Sequence, residues 1–338
     1  MPLDVPIVDL REPDAPMAID RACRTVGFFA LGGHGVPAAQ REHLIAVARE
    51  FFRLPEPVKA NVSLARGGRA WRGWFPLGGE LTSGVPDLKE GYYFGRELPP
   101  DDRPLHGPNV WPHDVPALHD AVLGWMASME SLGQQVLAAM GVGLGLGADW
   151  FASHLTVEPT TLFRIFTYPP HPAELRDRPD RWGVAEHTDY GLLTLLAHDG
   201  TPGLEVHVDG RWLAVPHDPE LIVCNLGDML DRLTAGAYRS TPHRVRNVAD
   251  HDRISLPFFL DPSWDARIEP LPSPPTATLA ERARWDHVDL SEFDGTYGDW
   301  LLGKVSKVFP DLAADVLAAD VLPAVAADVR LPISPAGR

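Results

Sequence analysis

Beyond Thr160 the chain breaks into short apolar runs, at residues 162–168, 192–197, 204–208, 212–215, 221–225, 244–248 and 254–260, separated by turn residues. Runs of that length at close spacing fold as a sandwich or barrel of strands, since none is long enough to hold a helix. Asp209 and Gly210, between two of the runs, suit a two-residue hairpin turn. This half of the chain is expected to be a jelly roll, on which a helical, loop-rich N-terminal half packs.

The upstream half reads differently. PIVDL at 6–10 is of strand type, a helical pattern over 20–25 ends at Gly27, and GFFALGGHG at 27–35 reads as a buried strand entering a tight turn in which His34 is structural. Pro37 opens a helix whose Leu44, Ile45, Ala48, Phe51 and Phe52 recur at helical spacing until Leu54 and Pro55. Residues 66–79 are rich in Gly and Trp, and read either as a loop closing over a ligand or as a surface loop anchored by its tryptophans. Residues 87–95 enter a strand, and the proline-rich 99–116 carries no regular element. Val122, Trp125, Met126, Met129, Leu132, Val136 and Leu137 make 118–140 an amphipathic scaffold helix. The following GVGLGLGA imitates a dinucleotide fingerprint, but it follows a helix where that fingerprint follows a strand, so it reads as a helix stop. After the proline-rich 261–275, a last helix is expected over 297–308, then a tail with helical spacing until Pro323. The regions expected are 1–115, a helical and strand region; 116–158, the scaffold helix; 159–262, the jelly-roll core; and 263–338, a loop, helix and tail, all in one integrated unit.

Within VAEHTDYGLLTLL, His187 and Asp189 share a face of an extended strand while Thr188 points away. An imidazole beside a carboxylate suits a transition metal, and a second histidine would complete a 2-His-1-carboxylate set with open positions for Fe(II). Taken alone, such a triplet is ordinary surface polarity in most chains. His243, in STPHRVRNV, stands 54 positions after Asp189, a distance natural for a ligand from another strand of the same barrel. Arg253 and Ser255 then share a strand face, and a guanidinium with a hydroxyl forms a receptor for a carboxylate. Residues 243–248 and 253–258 are expected to pair as a hairpin, in which a five-residue loop or a bulge, but not a regular four-residue turn, puts His243 and Arg253 on one face, roughly 13 Å apart, a gap suited to a short dicarboxylate.

Composition narrows the partners. A formal net charge of −16 argues against nucleic acid or an anionic membrane and for a small-molecule substrate. Cys23 and Cys224, the two cysteines, form no CxxC pair and read as buried thiols in a reducing compartment. The N-terminus shows neither a signal pattern nor a membrane-length apolar run, so a cytoplasmic protein is expected, as a monomer or weak dimer.

In this order, HTD, H and RIS resemble the isopenicillin N synthase-like group of 2-oxoglutarate and Fe(II)-dependent dioxygenases, and the similarity spans nearly the whole chain. PIVDL, GFFALGGHG, FFRLP, DLKEGYYFG, NVWP at 109–112, NLGDML at 225–230, YRSTPHRV and SLPFFLDP carry it as well. The resemblance implies an α+β, mainly β chain with a double-stranded β-helix (jelly-roll) core, flanking N-terminal helices and a C-terminal helix. It implies that His187, Asp189 and His243 hold Fe(II) and that Arg253 and Ser255 bind the distal carboxylate of 2-oxoglutarate. Tyr168, in RIFTYPP, matches a tyrosine that many relatives use on the cosubstrate, whereas Phe166 stands where plant relatives often have Asn and makes the wall more apolar. The implied reaction uses O2 and 2-oxoglutarate to oxidise an unactivated C–H bond, releasing succinate and CO2. Hydroxylation is the default outcome, with desaturation or ring closure as other fates. The alternatives are an Fe(II) oxidase of the same fold that does not consume 2-oxoglutarate and a non-catalytic jelly-roll binding protein. A zinc hydrolase would leave Arg253 and Ser255 without a role. Trp74, Tyr93, Phe94, Arg164, Phe166, Phe259 and Trp264 are the candidate substrate residues, an aromatic set with an Arg for an anionic group, each of which fits the core equally well. The Ala-, Gly-, Pro- and Arg-rich composition fits a bacterial enzyme of specialised metabolism.

Overall fold

A computed structural model describes residues 4–82, 84–171, 182–271, 290 and 292–317. The first part of the chain supplies β1 (Ile7–Asp9), α1 (Ala15–Thr25), β2 (Phe28–Gly32), α2 (Ala38–Phe52), the one-turn helices α3 (Glu56–Lys59) and α4 (Leu64–Gly67), β3 (Gly73–Phe75), β4 (Leu81–Thr82), β5 (Val85–Pro86) and β6 (Glu90–Gly95). The long α5 (Ala117–Gly143) and the short α6 (Trp150–His154) follow. The later part supplies β7 (Pro159–Tyr168), β8 (Val184–His187), β9 (Leu193–His198), β10 (Leu204–Val208), β11 (Arg211–Ala214), β12 (Ile222–Leu226), α7 (Asp228–Leu233), β13 (His243–Val245), β14 (Arg253–Ser263), α8 (Tyr297–Val308) and α9 (Pro310–Val316).

These strands form a double-stranded β-helix. Among the described residues a large sheet has the order β1-β2-β12-β9-β14-β7-β6-β3, and a small one the order β11-β10-β13-β8. Continuous burial along β7, β9, β12 and most of β14 marks the large sheet as covered on both faces. Helix α5 covers the outer face. A Cβ at its Gly133 would come within 2.7 Å of Leu260, so this glycine allows helix and sheet to approach closely. Asp209 and Gly210, both at positive φ, turn β10 into β11 as expected. Beyond α5, Gly145 and Gly147 at positive φ stop the helix. Helix α8 starts from a capping box between Thr296 and Asp299. No described helix is long and apolar enough to cross a membrane.

The structure corrects several expectations. The upstream half is no separate layer, since β1, β2, β3 and β6 are strands of the large sheet itself. Helix α1 begins at Ala15, because Ala15, Ile19, Ala22 and Cys23 continue its buried stripe upstream of the expected start. The 243–248 and 253–258 segments do not form a hairpin. Strand β14 is flanked on both sides, by β7 and β9, and has no free edge, while β13 inserts between β10 and β8 in the small sheet. The connection crosses from one sheet to the other and is tied down by Asn247, whose Nδ2 donates to the Tyr168 and His251 carbonyls at 2.7 and 2.8 Å. Strand β14 also runs on through Pro262 to Ser263. The expected tail beyond Leu317 and the 272–289 part of the proline-rich stretch lie outside the described residues.

Candidate active site

Strand β8 ends at His187, and Asp189 lies just past it, so the two ligand candidates do not share one strand as expected. The backbone turns after Thr188 and is held there by Asp228, whose N–H donates to the Asp189 carbonyl at 2.8 Å. His243 stands opposite His187 in the pairing of β13 with β8. The His187 and His243 Nε2 atoms come to 3.9 and 3.8 Å from Asp189 Oδ1, and the three potential ligand atoms all lie within 4.8 Å of one another. Each imidazole donates from Nδ1 to a carbonyl, His187 to Ala185 at 2.8 Å and His243 to Thr241 at 3.1 Å. That fixes the tautomer and leaves both Nε2 lone pairs free. Asp189 Oδ2 accepts from Asn225 Nδ2 at 2.6 Å and from the Thr194 hydroxyl, which leaves Oδ1 facing the two rings. Burial lowers the pKa of both histidines, that of His243 to about 4, and so favours the neutral, ligating form. Two imidazoles and one carboxylate, with donors on one side only, fit a transition metal that keeps open coordination positions.

On the facing sheet Arg253 is 1% exposed. Its Nε donates to the Thr201 carbonyl at 3.2 Å, and its Nη1 has no hydrogen-bond partner among the described residues. Ser255 is the next residue on that face, its hydroxyl 3.4 Å from the Tyr168 hydroxyl, and Tyr168 is the cross-strand partner of Arg253. A buried guanidinium with an unused nitrogen, flanked by two hydroxyls, is a receptor for a carboxylate.

A cavity joins the two clusters. Tyr93, Arg164, Phe166 and Phe259 line it together with Tyr168, Arg253, Ser255 and the His187, Asp189 and His243 group. Three substrate candidates stand elsewhere. Phe94 is one position from Tyr93 and therefore on the opposite face of β6, stacked between Tyr92 and Trp111. Trp74 gives its indole N–H to Glu90 in a layer that also holds Lys59. Trp264 packs edge-on to His106 and beneath Gly298. Arg164 places its Cζ over the Tyr93 ring, 3.5 Å from the ring centre. Its Nη1 donates to the Phe94 and Phe163 carbonyls at 3.3 and 3.2 Å, and its other nitrogens have no hydrogen-bond partner among the described residues.

Other lining residues escaped the sequence reading. Leu301, Val305 and Val308 bring α8 against the cavity, and Tyr190 lines it beside Asp189. Asp261 shares the face of Phe259 two positions on, so strand alternation could have found it. Its carboxyl accepts from the Leu192 N–H at 3.1 Å and from the Tyr297 hydroxyl, and burial pushes its pKa up to about 7. Lys89, 3% exposed, places Nζ 2.9 Å from both Asp87 and Glu80 and 4.4 Å over the Phe166 ring. At the entry of a strand these charges gave no sign of being buried.

Two family models match the chain: the non-haem dioxygenase in morphine synthesis N-terminal model over residues 5–114, and the 2OG-Fe(II) oxygenase superfamily model over residues 159–262. A "probable iron/ascorbate oxidoreductase" of Dictyostelium discoideum is 40% identical over 327 residues, 88% of this chain and 90% of that protein. A 2-oxoglutarate-dependent dioxygenase of Aspergillus niger is 35% identical over 286 residues, 79% of this chain and 86% of its own length. Among solved structures, a full-length Neurospora crassa protein in complex with alpha-KG superposes with a TM-score of 0.75 at 26% identity, covering 89% of this chain and 96% of that one. The same Neurospora protein has also been solved with alpha-KG and thymine.

Proposed function

Because this chain belongs to the 2-oxoglutarate and Fe(II)-dependent oxygenase superfamily, whose cofactor is Fe(II) and whose cosubstrates are 2-oxoglutarate and O2, we propose that it hydroxylates a C–H bond of a small, largely apolar molecule carrying one anionic group. The observation that carries this reading is the layout of the cavity. Three potential ligand atoms converge at the small sheet and the turn just past β8, a carboxylate receptor lies on the large sheet, and Arg164 stands apart from both with donors that are unused among the described residues.

His187, Asp189 and His243 hold the iron. Arg253, Ser255 and Tyr168 receive the distal carboxylate of 2-oxoglutarate. With these groups bound, oxidative decarboxylation of the cosubstrate to succinate and CO2 supplies the oxidant that takes hydrogen from the substrate. The protein orients and excludes. Along β7, Arg164 is four residues from Tyr168, roughly 13 Å at about 3.3 Å per residue, so a substrate anion on Arg164 stays clear of the cosubstrate. Tyr93, Phe166 and Phe259 confine the apolar body of the substrate, while Leu301 and Val305 of α8 cover it against water.

The test is a survey of small aromatic and aliphatic carboxylic acids incubated with enzyme, Fe(II), 2-oxoglutarate and O2, read by mass spectrometry and succinate release. A product one oxygen heavier, formed one for one with succinate, is expected. Substrate loss without succinate would replace this reading with an oxidase that does not consume 2-oxoglutarate.

A further inference from the structure

On the reading that Arg253 and Ser255 receive the distal carboxylate of 2-oxoglutarate, we propose that His198 is a further donor to that same carboxylate, through its Nε2–H. On β9, Thr194 and Leu196 line the cavity, and His198, two residues further on, shares their face of the strand. In the pairing of β9 with β14, Thr194 stands opposite Phe259, Leu196 opposite Pro257 and His198 opposite Ser255. Directly opposed residues of an antiparallel pair point to the same side, so the imidazole flanks the receptor.

Its hydrogen bonding defines what it offers there. Nδ1 accepts from the Gly200 N–H at 3.0 Å, so a neutral ring carries its proton on Nε2. That nitrogen is buried, in a residue only 3% exposed, and has no hydrogen-bond partner among the described residues. The nearby carboxylate does not supply one. Asp199 is taken up by Arg49 at 2.8 Å, by the Ile254 N–H at 3.0 Å and by the Thr201 N–H at 3.1 Å. The other groups acting on the ring, Arg253, His217 and Arg41, offer no anion, and their positive charge disfavours its protonation. Burial and Arg253 hold its pKa near 4, so at neutral pH the ring acts as an uncharged donor. A carboxylate has about four acceptor positions, more than Arg253 Nη1, Ser255 and Tyr168 alone fill.

The experiment compares two ligands of the full-length enzyme loaded with Mn(II), which needs no turnover. 2-Oxoglutarate and 2-oxopentanoate share the 2-oxoacid end, and only the first has a distal carboxylate. Calorimetric titration of His198→Leu should show about 10- to 100-fold weaker binding of 2-oxoglutarate, the range for losing a hydrogen bond to a charged group, with 2-oxopentanoate binding unchanged. His198→Gln, which keeps an N–H donor, should recover most of the loss and guards against a mere folding defect. Equal losses for both ligands, or no loss for either, would overturn the proposal. Wild-type enzyme that fails to bind 2-oxoglutarate would instead overturn the functional reading on which it rests.

Discussion

His187 and His243 face each other as a cross-strand pair with ring centroids 4.2 Å apart, and each is tethered through Nδ1 to the carbonyl two residues before it. The same local device, used twice, aims both Nε2 atoms at Asp189 Oδ1. Replacing either histidine by Ala is expected to abolish stoichiometric Fe(II) or Mn(II) binding, measured by metal analysis after gel filtration. Asn225→Ala removes a partner of Asp189 Oδ2 and should cost about 10- to 100-fold in metal affinity or activity. An Asn225 variant with unchanged affinity would show that the carboxylate needs no such support.

Arg253→Leu removes the charge from the cosubstrate receptor. Truncating one member of a buried, hydrogen-bonded charge pair costs about 2–5 kcal/mol, so the Kd for 2-oxoglutarate should rise at least about 30-fold. Metal content should stay the same, since His187 and His243 lie on the small sheet and Asp189 just past β8, away from the strand that carries Arg253. Binding of 2-oxoglutarate at wild-type strength would remove Arg253 from the receptor.

Arg164→Leu should act on the other ligand. The expected result is a higher KM for the organic substrate, with 2-oxoglutarate affinity unchanged and more succinate formed per substrate oxidised. A change confined to 2-oxoglutarate binding would place Arg164 in the wrong subsite.

Asp261 gives the fold a pH dependence with a defined sign. Its folded pKa, about 7, lies above the ordinary carboxyl value of 3.8 because burial disfavours the charge. The folded state therefore binds more protons than the unfolded state between these values, and stability falls as pH rises from about 4 to about 7. Asp261→Asn should flatten that slope in urea titrations and be the more stable protein at pH 8. A slope that survives the substitution belongs to another group.

The strands were legible because each is a short apolar run between turn residues, and the three candidate metal ligands because HTD, H and RIS follow in one order, a combination far more specific than the HxD triplet alone. Pairing was not legible. Residues 249–252 have the polarity of a hairpin turn, yet sequence adjacency says nothing of whether β13 and β14 join the same sheet, and occupied edges on both sides of β14 decide against it. Trp74, Phe94 and Trp264 entered the substrate set by their size, whereas face parity, which separates Phe94 from Tyr93, is the criterion that places a side chain in the cavity. Lys89 was invisible for a different reason. Its burial is made possible by Glu80 and Asp87, which meet it only once the strands have paired.

His187 and His243 lie on the small sheet and Arg253 on the large one, so the gap between them is set by the thickness of the side-chain layer that holds the sheets apart. The core therefore works as a gauge for the length of the acid that bridges it. Val206, fully buried and paired with His243, belongs to that layer without being one of the polar contacts. Val206→Ala should shift the relative affinities for 2-oxoglutarate and its one-carbon-longer homologue, and identical ratios in both proteins would show that the polar groups alone measure the cosubstrate. Chain-length selectivity is then a property of packing, open to change at positions that no inspection of the ligand contacts would single out.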